Sequence, residues 1–228
     1  MKKYDIFLFD ADGTLYDYNK AEAHALKATF KHYNFDYSEN VRLKYREINA
    51  EVWHSYEQGE ISKDELKTVR FVRLFDVLGI KCNIHEFSEE YMFELGKCAF
   101  LIDGALEICK AIVSHGKQLF IVTNGVVTTQ DARIKHSPIE EYISAHFISE
   151  VIGHQKPRAE YFEHVFSHLP QAPKDTILII GDSLSADIAG GNNAGIDSCW
   201  FNEHGIENRT KIKPTYEIIE LSELQNFI

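Results

Sequence analysis

The chain has 228 residues, 44% hydrophobic and 26% charged, a composition typical of a globular protein with enough apolar material for a sizeable core. Its 24 Lys and Arg stand against 35 Asp and Glu, a formal net charge of −11, which disfavours binding to the phosphate backbone of DNA or RNA. A small anion is not excluded, because a local cationic site can outweigh the global field.

No stretch is long and apolar enough to cross a bilayer. Cys82, Cys98, Cys109 and Cys199 are scattered, with no CxxC pair, and Asp5 and Asp10 interrupt the apolar start of the chain. The expectation is a cytoplasmic protein with reduced thiols and no secretion signal.

The first predicted element is a buried strand at 4–9, YDIFLF, which runs into Asp10-Ala11-Asp12-Gly13-Thr14. Residues i and i+2 of an extended chain share a face, so Asp10 and Asp12 can both enter one site at the strand's carboxyl end. A polar turn chosen for backbone shape is the plainer alternative. Two carboxylates at the end of a core strand cost desolvation energy unless a cation or hydrogen bonds offset it. From 18 to 97 no strand pattern occurs. The segments AEAHALKATFKHYNF, ENVRLKYREINAEVWHSYEQ and KDELKTVRFVRLFDVLG read as amphipathic helices. A helical block of that length reads as an inserted domain rather than a loop. Within it Arg70 and Arg73 could meet a phosphate or a base, but as solvated residues on a helix face they need no special account; Trp53, Tyr56 and Phe71 read as helical core more readily than as base-stacking platforms.

A helix at 104–114 leads to a strand at 118–123, QLFIVT, which ends on Thr123-Asn124-Gly125. Hydroxyl, amide and backbone N–H groups there suit an oxyanion, and equally a simple turn. Lys156 stands before Pro157, where a helix at 159–168 begins; an ammonium at that junction can neutralise a phosphate or lie in solvent. His164 and His168 have a zinc-compatible spacing but no HExxH glutamate and no third ligand nearby, so they read as surface residues. The strand at 176–181, TILIIG, again ends on an acid, Asp182. Ser183 can cap the following helix, predicted at 184–193, with Asp187 one turn into it and Gly195 terminating it. A strand at 198–201, a polar loop to Pro214 and a weaker strand at 217–221 complete the chain.

Alternating helices and continuous apolar strands imply an α/β fold: a Rossmann-like parallel sheet core over 1–17 and 98–228, with the helical insertion over 18–97. Two core strands deliver acids to the same sheet edge. A hard cation such as Mg²⁺, together with Lys156, would resolve their repulsion.

Together these elements resemble the haloacid dehalogenase-like superfamily, in its phosphatase branch. The resemblance rests on Asp10-Ala11-Asp12-Gly13-Thr14-Leu15, Thr123-Asn124, Lys156 followed by Pro157, and Gly181-Asp182-Ser183 with Asp187, in that order. The insertion is similar to the family's helical cap. WHSYEQGEIS, VRFVRLF, SEVIGHQKP and GGNNAGIDSCWFN resemble bacterial noncanonical pyrimidine nucleotidases of the same superfamily.

The resemblance implies a Mg²⁺-dependent phosphomonoesterase working through an aspartyl-phosphate. Asp10 would be the nucleophile and Asp12 the acid, then the base. Mg²⁺ would lie on the Asp10 carboxylate, the Asp12 backbone carbonyl and the Asp182 carboxylate, with Asp187 in support. Thr123, the Asn124 backbone and Lys156 would hold the non-transferring oxygens. The implied substrate is a small phosphorylated metabolite, foremost a pyrimidine nucleoside 5′-monophosphate. A sugar-phosphate phosphatase or phosphomutase is the alternative, and the acid at position 12 argues against a dehalogenase.

Overall fold

The computed structural model describes residues 2–228. Six strands form one sheet: β1 (Ile6–Phe9), β2 (Gln118–Thr123), β3 (Ala145–Ile148), β4 (Ile177–Gly181), β5 (Asp197–Phe201) and β6 (Tyr216–Ile218). They are parallel throughout, in the order β3-β2-β1-β4-β5-β6. β1 and β4 are buried at every residue, which explains why they read as unbroken apolar runs.

The pleat divides these strands between two cores. Phe7 and Phe9 pair with Leu119 and Ile121 on one side and with Leu178 and Ile180 on the other, and all six belong to one buried cluster. Ile6 and Leu8, with Phe120, Val122, Ile177 and Ile179, build the second cluster on the opposite face. The sheet is therefore covered on both sides, as a parallel sheet requires.

The described residues form two compact units: 2–19 together with Ala99–Ile228, and Lys20–Cys98. The second unit contains nearly all of α1 (Tyr18–His32), and α2 (Glu39–Glu57), α3 (Lys63–Leu78) and α4 (Ile84–Gly96). Side chains satisfy their open N–H groups: Ser38 caps α2, Ser62 and Glu65 form a capping box on α3, and Asn83 caps α4. Its interior is aromatic, with Phe71 packed on Tyr45, Phe87 and Tyr91. Arg70 departs from the solvated position expected of it. It is buried, donates to the Asn49 side-chain oxygen at 3.2 Å, and its guanidinium lies 5.1 Å from the ring centres of Phe71 and Tyr91. Arg73 stays on the surface beside Glu51.

In the first unit, α5 (Ala105–Ser114), α6 (Val127–Lys135), the short α7 (Ser149–Ile152), α8 (Ala159–His168) and α9 (Ala189–Ala194) connect the strands. The expected helix at 184–193 begins as a π-turn, Leu184–Ile188, capped by Ser183 and continued by α9 to a left-handed Gly195. The expected strand at 217–221 is shorter and starts earlier; Leu221–Phe227 is a 3₁₀ helix whose Leu221, Leu224 and Phe227 close the first core cluster. β3 and α6 had no predicted counterpart. No helix of the described residues is long and apolar enough to cross a membrane.

Candidate active site

The strand order reverses between β1 and β4. In open α/β sheets the crevice outside the carboxyl ends at such a point is where ligands bind. Asp10 follows β1, Asp182 follows β4, and Thr123 ends the neighbouring β2. One side-chain oxygen from each of Asp10, Asp182 and Asp187 lies within 4.8 Å of the other two.

Lys156 reaches this cluster from the loop before α8 and is fully buried. Its ammonium donates to Asp10 Oδ1 at 2.6 Å, to the Val122 carbonyl at 2.6 Å and to Asp187 Oδ1 at 2.7 Å. Those bonds use all three of its donors. Burial disfavours the ammonium, but Asp10 and Asp187 outweigh it and hold the lysine above its usual range. Asn124 fixes the approach: its amide donates to the Lys156 carbonyl at 3.0 Å and accepts from the Lys156 N–H at 2.9 Å. The Thr123 hydroxyl accepts from the Gly125 N–H at 3.0 Å.

Three carboxylates and one ammonium give a formal net charge of −2 in a site that buries Lys156 and Asp187 and leaves Asp182 exposed. Burial pushes Asp10 well above the usual carboxylate range; Lys156 opposes the shift, and Asp187 and Asp182 add to it. Loss of hydration, reinforced by Asp187, pushes Asp182 upward, a shift that solvent moderates because the residue is exposed. A hard divalent cation matches the residual charge, and an all-oxygen donor set is what such an ion prefers. Gly13 permits the close approach of the two strand ends. Its φ is +84°, and a Cβ there would meet Asp182 Oδ2 at 2.5 Å.

Asp187 lies closer to the centre than a remote supporter would. Its Oδ2 accepts from the Ser183 N–H at 3.0 Å while its Oδ1 holds Lys156. Asp12 is not among the clustered carboxylates. It turns instead to α6, where Oδ2 accepts from Gln130 Nε2 at 2.6 Å and Oδ1 accepts from Arg133 Nη1 in an ion pair. Sequence reasoning missed both α6 residues. The available signal was Gln130 and Arg133 three apart, one helical turn, shortly after Thr123-Asn124.

The family pattern described as "Haloacid dehalogenase-like hydrolase" matches residues 7–201. The chain belongs to this family. As a haloacid dehalogenase-like hydrolase it is similar to YfnB of Bacillus subtilis (strain 168), at 39% identity over 228 residues, covering 100% of this chain and 97% of that protein. The pyrimidine 5′-nucleotidase PynA of Streptococcus pneumoniae is 36% identical over 221 residues, covering 97% and 93% of the two chains. A crystal structure of YfnB bound to magnesium superposes with a TM-score of 0.90 over 99% of this chain and 98% of that one. An L-2-haloacid dehalogenase from Xanthobacter autotrophicus shares the fold at a TM-score of 0.76 and 14% identity, covering 98% of this chain and 97% of that one.

Proposed function

We propose that this hydrolase is a Mg²⁺-dependent phosphomonoesterase acting on pyrimidine nucleoside 5′-monophosphates. The observation that carries the reading is the Asp10–Asp182–Asp187 cluster with its single buried counter-charge, Lys156, at the switch point of the sheet. The similarity to PynA, along nearly the full length of both chains, directs the choice of substrate.

Asp10 and Asp182 would hold the ion, with the Asp12 backbone carbonyl completing the protein's share and Asp187 beside it. Bound there, the ion would neutralise carboxylate charge and polarise the phosphoryl group. Lys156 orients Asp10 by binding its Oδ1, leaving Oδ2 free of that bond to attack phosphorus. The new bond joins Asp10 to phosphorus as the ester oxygen departs, and Asp12 gives that oxygen a proton. Asp12 then takes a proton from the water that hydrolyses the aspartyl-phosphate. Thr123, the Asn124 backbone and Lys156 would hold the non-transferring oxygens, with Lys156 exchanging one of its present bonds to do so.

The helical unit, Lys20–Cys98, would serve as the cap. The four cysteines form no disulfide among the described residues, which suits a reducing, cytoplasmic compartment. The test is phosphate release from a panel of nucleoside monophosphates and sugar phosphates, with Mg²⁺ and with EDTA. The reading predicts metal-dependent release with the highest kcat/KM on pyrimidine 5′-monophosphates. Haloacid turnover without metal, or phosphate release indifferent to EDTA, would overturn it.

A further inference from the structure

The face that α6 turns inward is polar: Thr129, Gln130 and Arg133 are buried alongside Ile134. A leucine stripe would pack the same helix at far lower desolvation cost. Arg133 is completely buried, and Asp12 is the carboxylate it pairs with. Gln130, one turn earlier, holds the other Asp12 oxygen and is pressed against Gly125, where a Cβ would collide with its amide. Asp12 itself keeps 27% of its side chain accessible. Asp10 and Asp12, two residues apart, thus have separate partners, with Lys156 serving the first and Arg133 the second.

We propose that Arg133 and Gln130 are positioning residues for Asp12, holding its carboxylate in the orientation from which it protonates the leaving oxygen. This rests on the reading of Asp12 as the acid. The two contacts differ in kind. Arg133 supplies a charged, buried bond to Oδ1, and Gln130 a neutral one to Oδ2, which is exchanged at lower cost. Arg133 is therefore the pivot, and Oδ2 is the oxygen that turns to the leaving group. The O–H bond at Asp12 Oδ2 breaks, the proton joins the leaving oxygen as its bond to phosphorus breaks, and water later returns a proton to Oδ2. Neither α6 residue gains or loses a proton.

General acid catalysis matters most for poor leaving groups, so its loss has a signature that a packing defect lacks. The experiment measures kcat/KM for phenyl, p-nitrophenyl and 2,4-dinitrophenyl phosphate with Mg²⁺, in the unaltered enzyme and in Arg133→Met, Arg133→Lys, Gln130→Leu and Asp12→Asn. Because these probes differ only in the leaving group, the identity of the natural substrate does not enter. Arg133→Met is expected to lose about 10- to 100-fold on phenyl phosphate, part of the range available to a general acid. On 2,4-dinitrophenyl phosphate it should lose less than about threefold, steepening the dependence on leaving-group pKa, with Arg133→Lys intermediate. Asp12→Asn should show the same steepening, and more strongly.

If Arg133→Met and Gln130→Leu slow all three esters equally while Asp12→Asn steepens the series, the positioning role is wrong and the acid assignment stands. If Asp12→Asn leaves the slope unchanged, the acid assignment itself falls and the clamp with it. Should Arg133→Met fail to fold, Arg133→Lys, which keeps the charge and loses the fixed geometry, decides alone: a steeper slope supports the clamp and an unchanged one overturns it.

Discussion

Replacing Lys156 with Met removes the ammonium that, among the described residues, pairs with the acid cluster, while keeping the length of the side chain. The structure shows what is stranded: Asp10 Oδ1, Asp187 Oδ1 and the Val122 carbonyl each lose a bond of 2.6 to 2.7 Å in a dry environment. Removing one partner of a buried ion pair costs about 3–5 kcal/mol, because the remaining charge stays uncompensated. For a chain of this size each kcal/mol moves Tm by roughly 2–4 °C, so in EDTA the variant should melt roughly 6–20 °C lower. The formal charge of the site, with every carboxylate ionised, changes from −2 to −3, which favours a divalent cation more strongly. Excess Mg²⁺ should therefore raise the Tm of the variant by more than it raises that of the parent.

Urea unfolding followed by Trp200 fluorescence reads the same site, since the Trp200 Nε1 donates to the Asp182 carbonyl at 2.9 Å. A Trp53→Phe background removes the other tryptophan. A loss in EDTA below about 0.5 kcal/mol, the size of an ordinary surface change, would refute the reasoning that Lys156 is the cluster's structural counter-charge.

Glu22 is buried in the helical unit and its carboxyl is pushed from 4.5 up to about 7, mainly by burial, with Arg46, Arg70 and Arg42 opposing. The unfolded chain releases that proton near pH 4.5 and the folded one near 7, so stability falls as pH rises through this window, by about 3 kcal/mol. Glu22→Gln should flatten that slope in a urea midpoint series, and an unchanged slope would remove Glu22 as its source. Gly13→Ala places a Cβ against Asp182 and forces alanine to a φ of +84°. It should lower stability by about 1–2 kcal/mol and raise the Mg²⁺ concentration needed for half-maximal activity, whereas parent-like metal titration would contradict the contact. Cys98, Cys109 and Cys199 are buried, with burial pushing Cys109 and Cys199 up to about 12, while Cys82 is half-exposed. A thiol reagent should modify one cysteine rapidly in the folded protein and four after denaturation; two fast thiols would contradict the burial of the core cysteines.

How far the chain could be read follows from where each residue is buried. β1 and β4 are covered on both faces and carry no polar side chain before the acid that follows each of them, so an unbroken apolar run marks them. Their terminal acids stood out for that reason. β3 is an edge strand whose Ala145 and His146 are exposed, and two buried residues make too little pattern to register. α6 escaped notice because its inward face is Thr129, Gln130, Arg133 and Ile134, which has no apolar stripe. The Asp12–Arg133 pair joins residues 121 apart, and no local rule couples such positions. Arg70 misled for a related reason. An arginine on a helix is normally solvated, and the rings that cover it include one from another helix, α4. The residues left unread are those whose surroundings are polar or are brought in from distant parts of the chain.

The central claim is that Asp10 bonds covalently to phosphorus. The most direct measurement mixes the enzyme with Mg²⁺ and a saturating phosphomonoester, quenches with acid within one turnover and maps the peptides by mass spectrometry. The account predicts one added phosphoryl group on the peptide carrying Asp10, absent in Asp10→Asn and removed by mild base. A quenched enzyme that turns over substrate yet carries no phosphoryl group at Asp10, or an Asp10→Asn variant with full activity, would contradict it.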